Sequence, residues 1–194
     1  KHIQASVLLL IFFFISNERI FAQIIDENEK WIIVADGLSF PEGPAYDGKS
    51  SIYLSNCYGG WITIFSDGIK DTFISKMDDS LLIEKTNGLT FDSQGNLYAC
   101  EYGKGKILKI DDKNKIEVYA DGYYGKRFNR PNDLTFDLFG NLYFTDPNSY
   151  DKNILDGRIF LVDAKTKEVI LLEDSLAFPN GINISPVDGK LYVC

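Results

Sequence analysis

Four short phrases each place a polar side chain beside Pro or Gly. They read Phe40-Pro41-Glu42-Gly43-Pro44, Lys85-Thr86-Asn87-Gly88-Leu89, Asn129-Arg130-Pro131-Asn132-Asp133 and Phe178-Pro179-Asn180-Gly181-Ile182. The aligned residues Glu42, Asn87, Asn132 and Asn180 are one carboxylate and three amides, an oxygen-donor set. Such a set suits a hard cation: Ca2+, or Mg2+ with more of its water retained. Each phrase alone also reads as a turn, because Asn tolerates left-handed backbone and bonds to its own main chain. Four in phase, one of them carrying Glu, point to a shared site. Two neighbours add chemistry. Asp133 is the carboxylate beside these phrases that could take a proton; an Asx turn, or a bond supporting a ligand Asn, is the other reading. Arg130 could hold a hydroxyl or a developing oxyanion, or be a solvated loop cation. Asp146, before Pro147, reads more readily as the start of a turn than as a channel-lining group.

These residues can meet only if the elements behind them repeat. The copies are Gly43-Pro44-Ala45-Tyr46-Asp47, Gly88-Leu89-Thr90-Phe91-Asp92, Asp133-Leu134-Thr135-Phe136-Asp137 and Gly181-Ile182-Asn183-Ile184-Ser185. Tyr46 to Phe91 is 45 residues, Phe91 to Phe136 is 45, and Phe136 to Ile184 is 48. A turn and a short strand follow each copy: Ile52-Tyr53-Leu54, Leu97-Tyr98-Ala99, Leu142-Tyr143-Phe144 and Leu191-Tyr192-Val193. A repeat of roughly 40–50 residues made of short strands is what one propeller blade requires. Further strands are predicted at Ile107–Ile110 and Ile116–Tyr119, and at Val169–Leu172 in the next repeat; a Gly-rich turn is predicted at Glu101–Gly105. No amphipathic helix is predicted. A β-sandwich also has short strands, but it does not explain near-identical phrases one blade apart. In a propeller the innermost strands ring an axis, so the four polar residues converge on one face.

Composition agrees. Aromatic residues make up 14% of the chain, which suits half-buried strands. A net charge of −8 argues against a nucleic-acid partner, which calls for a basic stripe. Residues 1–22 read as a signal peptide: Lys1 and His2 precede the apolar run Ala5–Ile15, and Ala22 is a plausible cleavage position. The run is too short to span a bilayer as a helix. An uncleaved anchor or a buried segment is the alternative. The expectation is therefore export to the periplasm or outside, with no stable membrane insertion after cleavage. The single histidine, His2, lies in this segment, so a domain spanning 23–194 has none. That excludes a Ser-His-Asp triad, a Cys-His dyad and a His-bound zinc site. Cys57, Cys100 and Cys194 suggest no disulfide framework and read as free, buried thiols. A chain that starts with Lys and stops at Cys194 within a strand is read as C-terminally truncated, an N-terminal fragment of about three and a half blades.

The phrases Pro41-Glu42-Gly43-Pro44, Arg130-Pro131-Asn132-Asp133 and Pro179-Asn180-Gly181-Ile182, with Leu142-Tyr143-Phe144-Thr145-Asp146-Pro147, resemble the regucalcin (senescence marker protein)/gluconolactonase family. The likeness covers residues 31–194 and implies an all-β, six-bladed β-propeller. It implies a metal-dependent lactonase acting on a small sugar-derived lactone, with Ca2+ as the first choice of cation. Glu42 and Asn180 would ligate the metal. Asn132 would sit close to it and, with Arg130, touch substrate. Asn87 matches a less fixed substrate position, and Asp133 an acid/base candidate. A third ligand, an Asp that also serves as general base, is expected from a later Pro-Asp-Gly phrase beyond Cys194. A cation so held would polarise the lactone carbonyl and activate a water. Without histidine, a carboxylate must take the proton. Two other readings stay open: a noncatalytic exported propeller that binds a sugar or a protein, and a metal-independent enzyme resembling strictosidine synthase. The aligned oxygen donors argue against both.

Overall fold

The computed structural model describes Lys30, residues 33–76 and residues 82–194. The signal segment expected at 1–22 lies outside the described residues. Among the described residues there is no helix, hence none long and apolar enough to cross a membrane.

The strands fall in the unit Val34–Cys194 and group into successive antiparallel meanders. The first contains β1 (Pro41–Tyr46), β2 (Ser51–Asn56), β3 (Trp61–Ser66) and β4 (Ile69–Ser75). The second contains β5 (Thr86–Phe91), β6 (Leu97–Glu101), β7 (Lys106–Ile110) and β8 (Ile116–Ala120). The third contains β9 (Leu134–Phe136), β10 (Leu142–Asp146), β11 (Gly157–Val162) and β12 (Val169–Leu176). The hairpin β13 (Ile182–Ile184) and β14 (Leu191–Val193) opens a fourth. The first strands of successive meanders lie against one another, β1 on β5, β5 on β9 and β9 on β13. This is the arc of a β-propeller, and the repeat phrase marks each inner strand.

Local chemistry explains why the phrase recurs. Its last residue closes the hairpin to the second strand. Asp92 Oδ1 accepts the N–H groups of Gln94 and Asn96, and Asp137 Oδ1 those of Phe139 and Asn141. Ser185 takes the same place through its hydroxyl, which accepts from Val187 and Asp188. These are Asx and Ser turns.

Packing between blades follows the two-residue period of a strand. In β6, Leu97 and Ala99 join Ala45, Ile62, Ile74 and Leu89 between the first and second blades. Tyr98 and Cys100 point the other way, joining Phe128, Leu134, Phe144 and Phe160 between the second and third. Both faces of β6 are covered, so all five of its residues are buried. Each large apolar side chain so buried stabilises the fold by about 1.5–3 kcal/mol relative to exposure.

All three cysteines are free. Cys57 and Cys100 are buried as expected, but Cys194 is exposed. It follows β14, which among the described strands pairs only with β13, whereas Cys100 sits in a strand packed on both faces.

Candidate functional site

The loops that lead into the inner strands open onto one cavity of about 160 Å³. Glu42, Asn87, Arg130, Asn132 and Asn180 all line it. Every expected site residue but Asp133 is therefore brought together. Among the described residues, no group of three or more His, Cys, Asp or Glu side chains is placed to hold a metal. The cavity instead offers one carboxylate, Glu42, and the amide oxygens of Asn87, Asn132 and Asn180.

The amides do not sit as turn formers. None of Asn87, Asn132 and Asn180 has a positive φ. Their side chains and that of Glu42 make no hydrogen bond among the described residues. Other asparagines in the chain do: Asn96 and Asn141 donate to Asp92 and Asp137 at 2.7 Å. Glu42, Asn87 and Asn132 are half-buried and Asn180 is exposed, so their polar atoms are open to whatever enters the cavity.

Close approach of the inner strands aims these side chains. β1 shifts register between Glu42 and Ala45, and β5 between Thr86 and Leu89. Bulges of this kind re-aim a side chain at a site. Gly43 has φ +52, and a Cβ there would lie 2.3 Å from the Asn87 carbonyl oxygen. A Cβ on Gly88 would lie 2.6 Å from Asp133. Glycine follows Glu42 and Asn87 because the next blade's backbone passes there. The Gly88 N–H donates to the Asn132 carbonyl at 2.7 Å, and the Thr145 hydroxyl to the Asn180 carbonyl at 2.6 Å.

Asp133 stands where the other phrases have glycine. It is absent from the cavity lining. Its Oδ2 accepts the Ile182 N–H of β13 at 3.0 Å, and its Oδ1 lies against Gly88 of β5. It thus links three inner strands. Burial pushes its carboxyl above the ordinary value, against the pull of the Ile182 and Leu134 N–H groups.

A set of clamps was not anticipated from the sequence. The Asn56, Glu101 and Asp146 side chains are buried at the ends of β2, β6 and β10. Asn56 Oδ1 accepts the Ser39 N–H at 2.8 Å. Glu101 Oε1 accepts the N–H groups of Glu84 and Lys85. Asp146 accepts from Asn129 at 3.1 Å and Arg130 at 2.7 Å, and also pairs with Arg158. Each clamp ties down the loop that carries the cavity residues of its own blade. Asp146 and Glu101, which read as turn residues in the sequence, are thus buried acceptors. Burial pushes both carboxyls up, while the backbone donors, and Arg158 at Asp146, pull them down.

Aromatic residues form the rim. Phe40 stacks on Tyr58 with ring centroids 4.6 Å apart, and Tyr150 on Phe178 at 4.5 Å. The Arg130 guanidinium lies over the Tyr150 ring at 5.2 Å, so Arg130 is not a free loop cation.

A family model described as the SMP-30/gluconolactonase/LRE-like region matches residues 40–194. The chain belongs to the SMP-30/gluconolactonase/LRE-like family. Within it, a gluconolactonase from Zymomonas mobilis is 35% identical over 117 residues, 56% of this chain and 33% of that protein. Strictosidine synthase-like protein 6 of Arabidopsis thaliana is 29% identical over 174 residues, 81% of this chain and 45% of that protein. The solved structure of a gluconolactonase from Xanthomonas campestris superposes with a TM-score of 0.71 at 27% identity, over 82% of this chain and 56% of that one. The chain thus spans about a third to somewhat over half the length of these relatives.

Proposed function

We propose that this protein hydrolyses a lactone, sugar-derived in the first instance, in the cavity lined by Glu42, Asn87, Arg130, Asn132 and Asn180. The observation that carries the reading is that Glu42, Asn87, Asn132 and Asn180, whose side chains have no hydrogen-bond partner among the described residues, line one cavity together with Arg130. The gluconolactonases among its relatives support the reaction class. Glu42, Asn132 and Asn180 fit a hard divalent cation, Ca2+ first, because every donor is oxygen and one is anionic. Such a cation supplies Lewis-acid charge at the lactone carbonyl when bound. Arg130, steadied over Tyr150 and held at its N–H by Asp146, would direct its donors to the developing oxyanion. Asn87 would accept or donate to a substrate hydroxyl. Asp133 is this chain's acid/base candidate; burial raises its pKa, and it stands behind Asn132 rather than in the cavity lining. Its bonds across the inner strands suit a supporting role equally. Export through residues 1–22 belongs to the same proposal.

The test is hydrolysis of gluconolactone by the intact protein, with and without EDTA and with added Ca2+. Activity lost to EDTA and restored by Ca2+ is the expected result. Activity indifferent to EDTA would leave the metal-independent alternative, for which the strictosidine synthase-like relatives speak. Failure of a folded, Ca2+-loaded protein on a panel of lactones would leave the binding propeller.

A further inference from the structure

At the cavity end of the inner strands, two pairs of neighbouring blades are joined through the main-chain carbonyl of a cavity asparagine, and the joint is made in two ways. Between blades two and three, the Gly88 N–H donates directly to the Asn132 carbonyl at 2.7 Å. Between blades three and four, Asp133 stands in the place of Gly88. Its N–H donates instead to the Thr145 hydroxyl at 3.1 Å. The same hydroxyl donates to the Asn180 carbonyl at 2.6 Å. A hydroxyl gives one proton and can accept another bond. Thr145 therefore relays the contact that glycine makes alone.

The relay is anchored in blade three. Thr145 lies in β10 with no exposed surface. The Asn132 N–H donates to the Thr145 carbonyl at 2.9 Å, and the Thr145 N–H to the Asp133 carbonyl at 3.0 Å. The Asp133 carboxylate meanwhile accepts from Ile182, two residues beyond Asn180, at 3.0 Å. The segment that carries Asn180 is thus tied to the segment that carries Asn132 by one hydroxyl and one carboxylate, both from blade three.

The residues at the same place in the other blades differ. They are Ser55, Cys100 and Cys194. Ser55 is as fully buried, but its Oγ has no partner among the described residues. Cys100 offers only a thiol, a weak donor. The Cys194 thiol points to the Gly181 carbonyl of its own hairpin, at 3.7 Å. Strand packing explains a small residue at all four places. It does not explain a hydroxyl bonded on both sides at the one place that faces Asn180.

We infer that Thr145 is a positioning residue for the cation site. It sets the spacing of Asn132 and Asn180, the amides that two different blades contribute, and it is not itself part of the cavity lining. The inference rests on the cation reading of the cavity and adds to it a residue that acts through Asn180. Valine in its place keeps the branched shape but leaves the Asp133 N–H and the Asn180 carbonyl without this partner.

Two measurements on the intact protein test it: calorimetric titration with Ca2+, and NMR spectra of the side-chain amides without metal. The variants are Thr145→Val, Thr145→Ser and Ser55→Ala. Thr145→Val should bind Ca2+ about tenfold more weakly, the usual loss when a group that orients a metal ligand is removed. Thr145→Ser keeps the hydroxyl and should retain wild-type affinity. Ser55→Ala removes an equally buried hydroxyl that has no partner among the described residues, and should also match wild type. In the metal-free spectra, Thr145→Val should move the Asn180 amide resonance and leave that of Asn87, and Thr145→Ser should restore it. Equal Ca2+ affinity in wild type and Thr145→Val, or a loss shared by Thr145→Ser or Ser55→Ala, overturns the inference. An unmoved Asn180 resonance in Thr145→Val overturns it as well. A resonance that moves and is restored, in a protein whose wild type binds no Ca2+, supports the tether and refutes the cation reading.

Discussion

Replacing Asp146 by alanine isolates what holds the Arg130–Asn132 loop. The wild-type carboxylate has no exposed surface, accepts two backbone N–H groups, and pairs with an Arg158 side chain that is itself 21% exposed. Removing one partner of a buried ion pair costs about 3–5 kcal/mol, because the other charge is stranded. Water reaches part of Arg158, and its Nε is already without a partner among the described residues, so the lower end, about 3 kcal/mol, is expected. Asp146→Asn keeps one acceptor oxygen and should lose about 1.5–2 kcal/mol. Adding Arg158→Met to Asp146→Ala should recover about 1–2 kcal/mol, since Met removes the stranded cation and keeps packing on Phe160. Denaturant unfolding of the intact protein reads these differences. If the proposed lactone hydrolysis holds, its kcat/KM should fall about a hundredfold as well, because Arg130 and Asn132 lose their anchor. An Asp146→Ala cost below about 1 kcal/mol, or a double variant that merely sums its singles, would refute the clamp.

Other outcomes follow from the same contacts. Gly43→Ala puts a methyl against the Asn87 carbonyl at a positive φ, and should destabilise by at least about 2 kcal/mol in urea unfolding. Burial raises the folded pKa of Glu101 above its unfolded value, so the stability it contributes is full below about pH 4.3 and is lost as pH rises through the folded value. Glu101→Gln should therefore lose less stability than wild type as pH rises above about 4.3, and a steeper loss in the variant would contradict this. Asp133→Asn can still accept from Ile182, so the fold should stand. If Asp133 carries the proton, kcat falls by about a hundredfold or more with Ca2+ affinity unchanged; an unchanged kcat with weaker ligand binding assigns it the supporting role.

The repeat phrase made much of this legible. Its period placed the inner strands, and the polar residue ahead of each copy placed Glu42, Asn87, Asn132 and Asn180 in one cavity. The clamps were hidden by chemistry that looks like turn chemistry. Glu101 precedes a Gly-rich turn and Asp146 a proline, and the equivalent residue in blade one is Asn56. Yet all three stand 45 residues apart, and comparing acceptors rather than identities along the repeat would have found them. Tyr150 left a fainter signal in the longer third spacing, 48 rather than 45 residues. Where that extra chain folds depends on Asp151 and Asp156 closing their own loop, which the period does not record. The orientation of Asp133 depends on contacts across three blades, beyond any local pattern.

The converging oxygens of Glu42, Asn132 and Asn180 are proposed to hold a divalent cation. Calorimetric titration of the metal-stripped, intact protein with Ca2+ tests it most directly, beside Glu42→Gln. Wild type should bind a single Ca2+ per chain, and the variant should bind it about a hundredfold more weakly, since Glu42 supplies the only negative charge in the lining described here. Absence of binding by wild type, or equal affinity in the two proteins, would contradict the account.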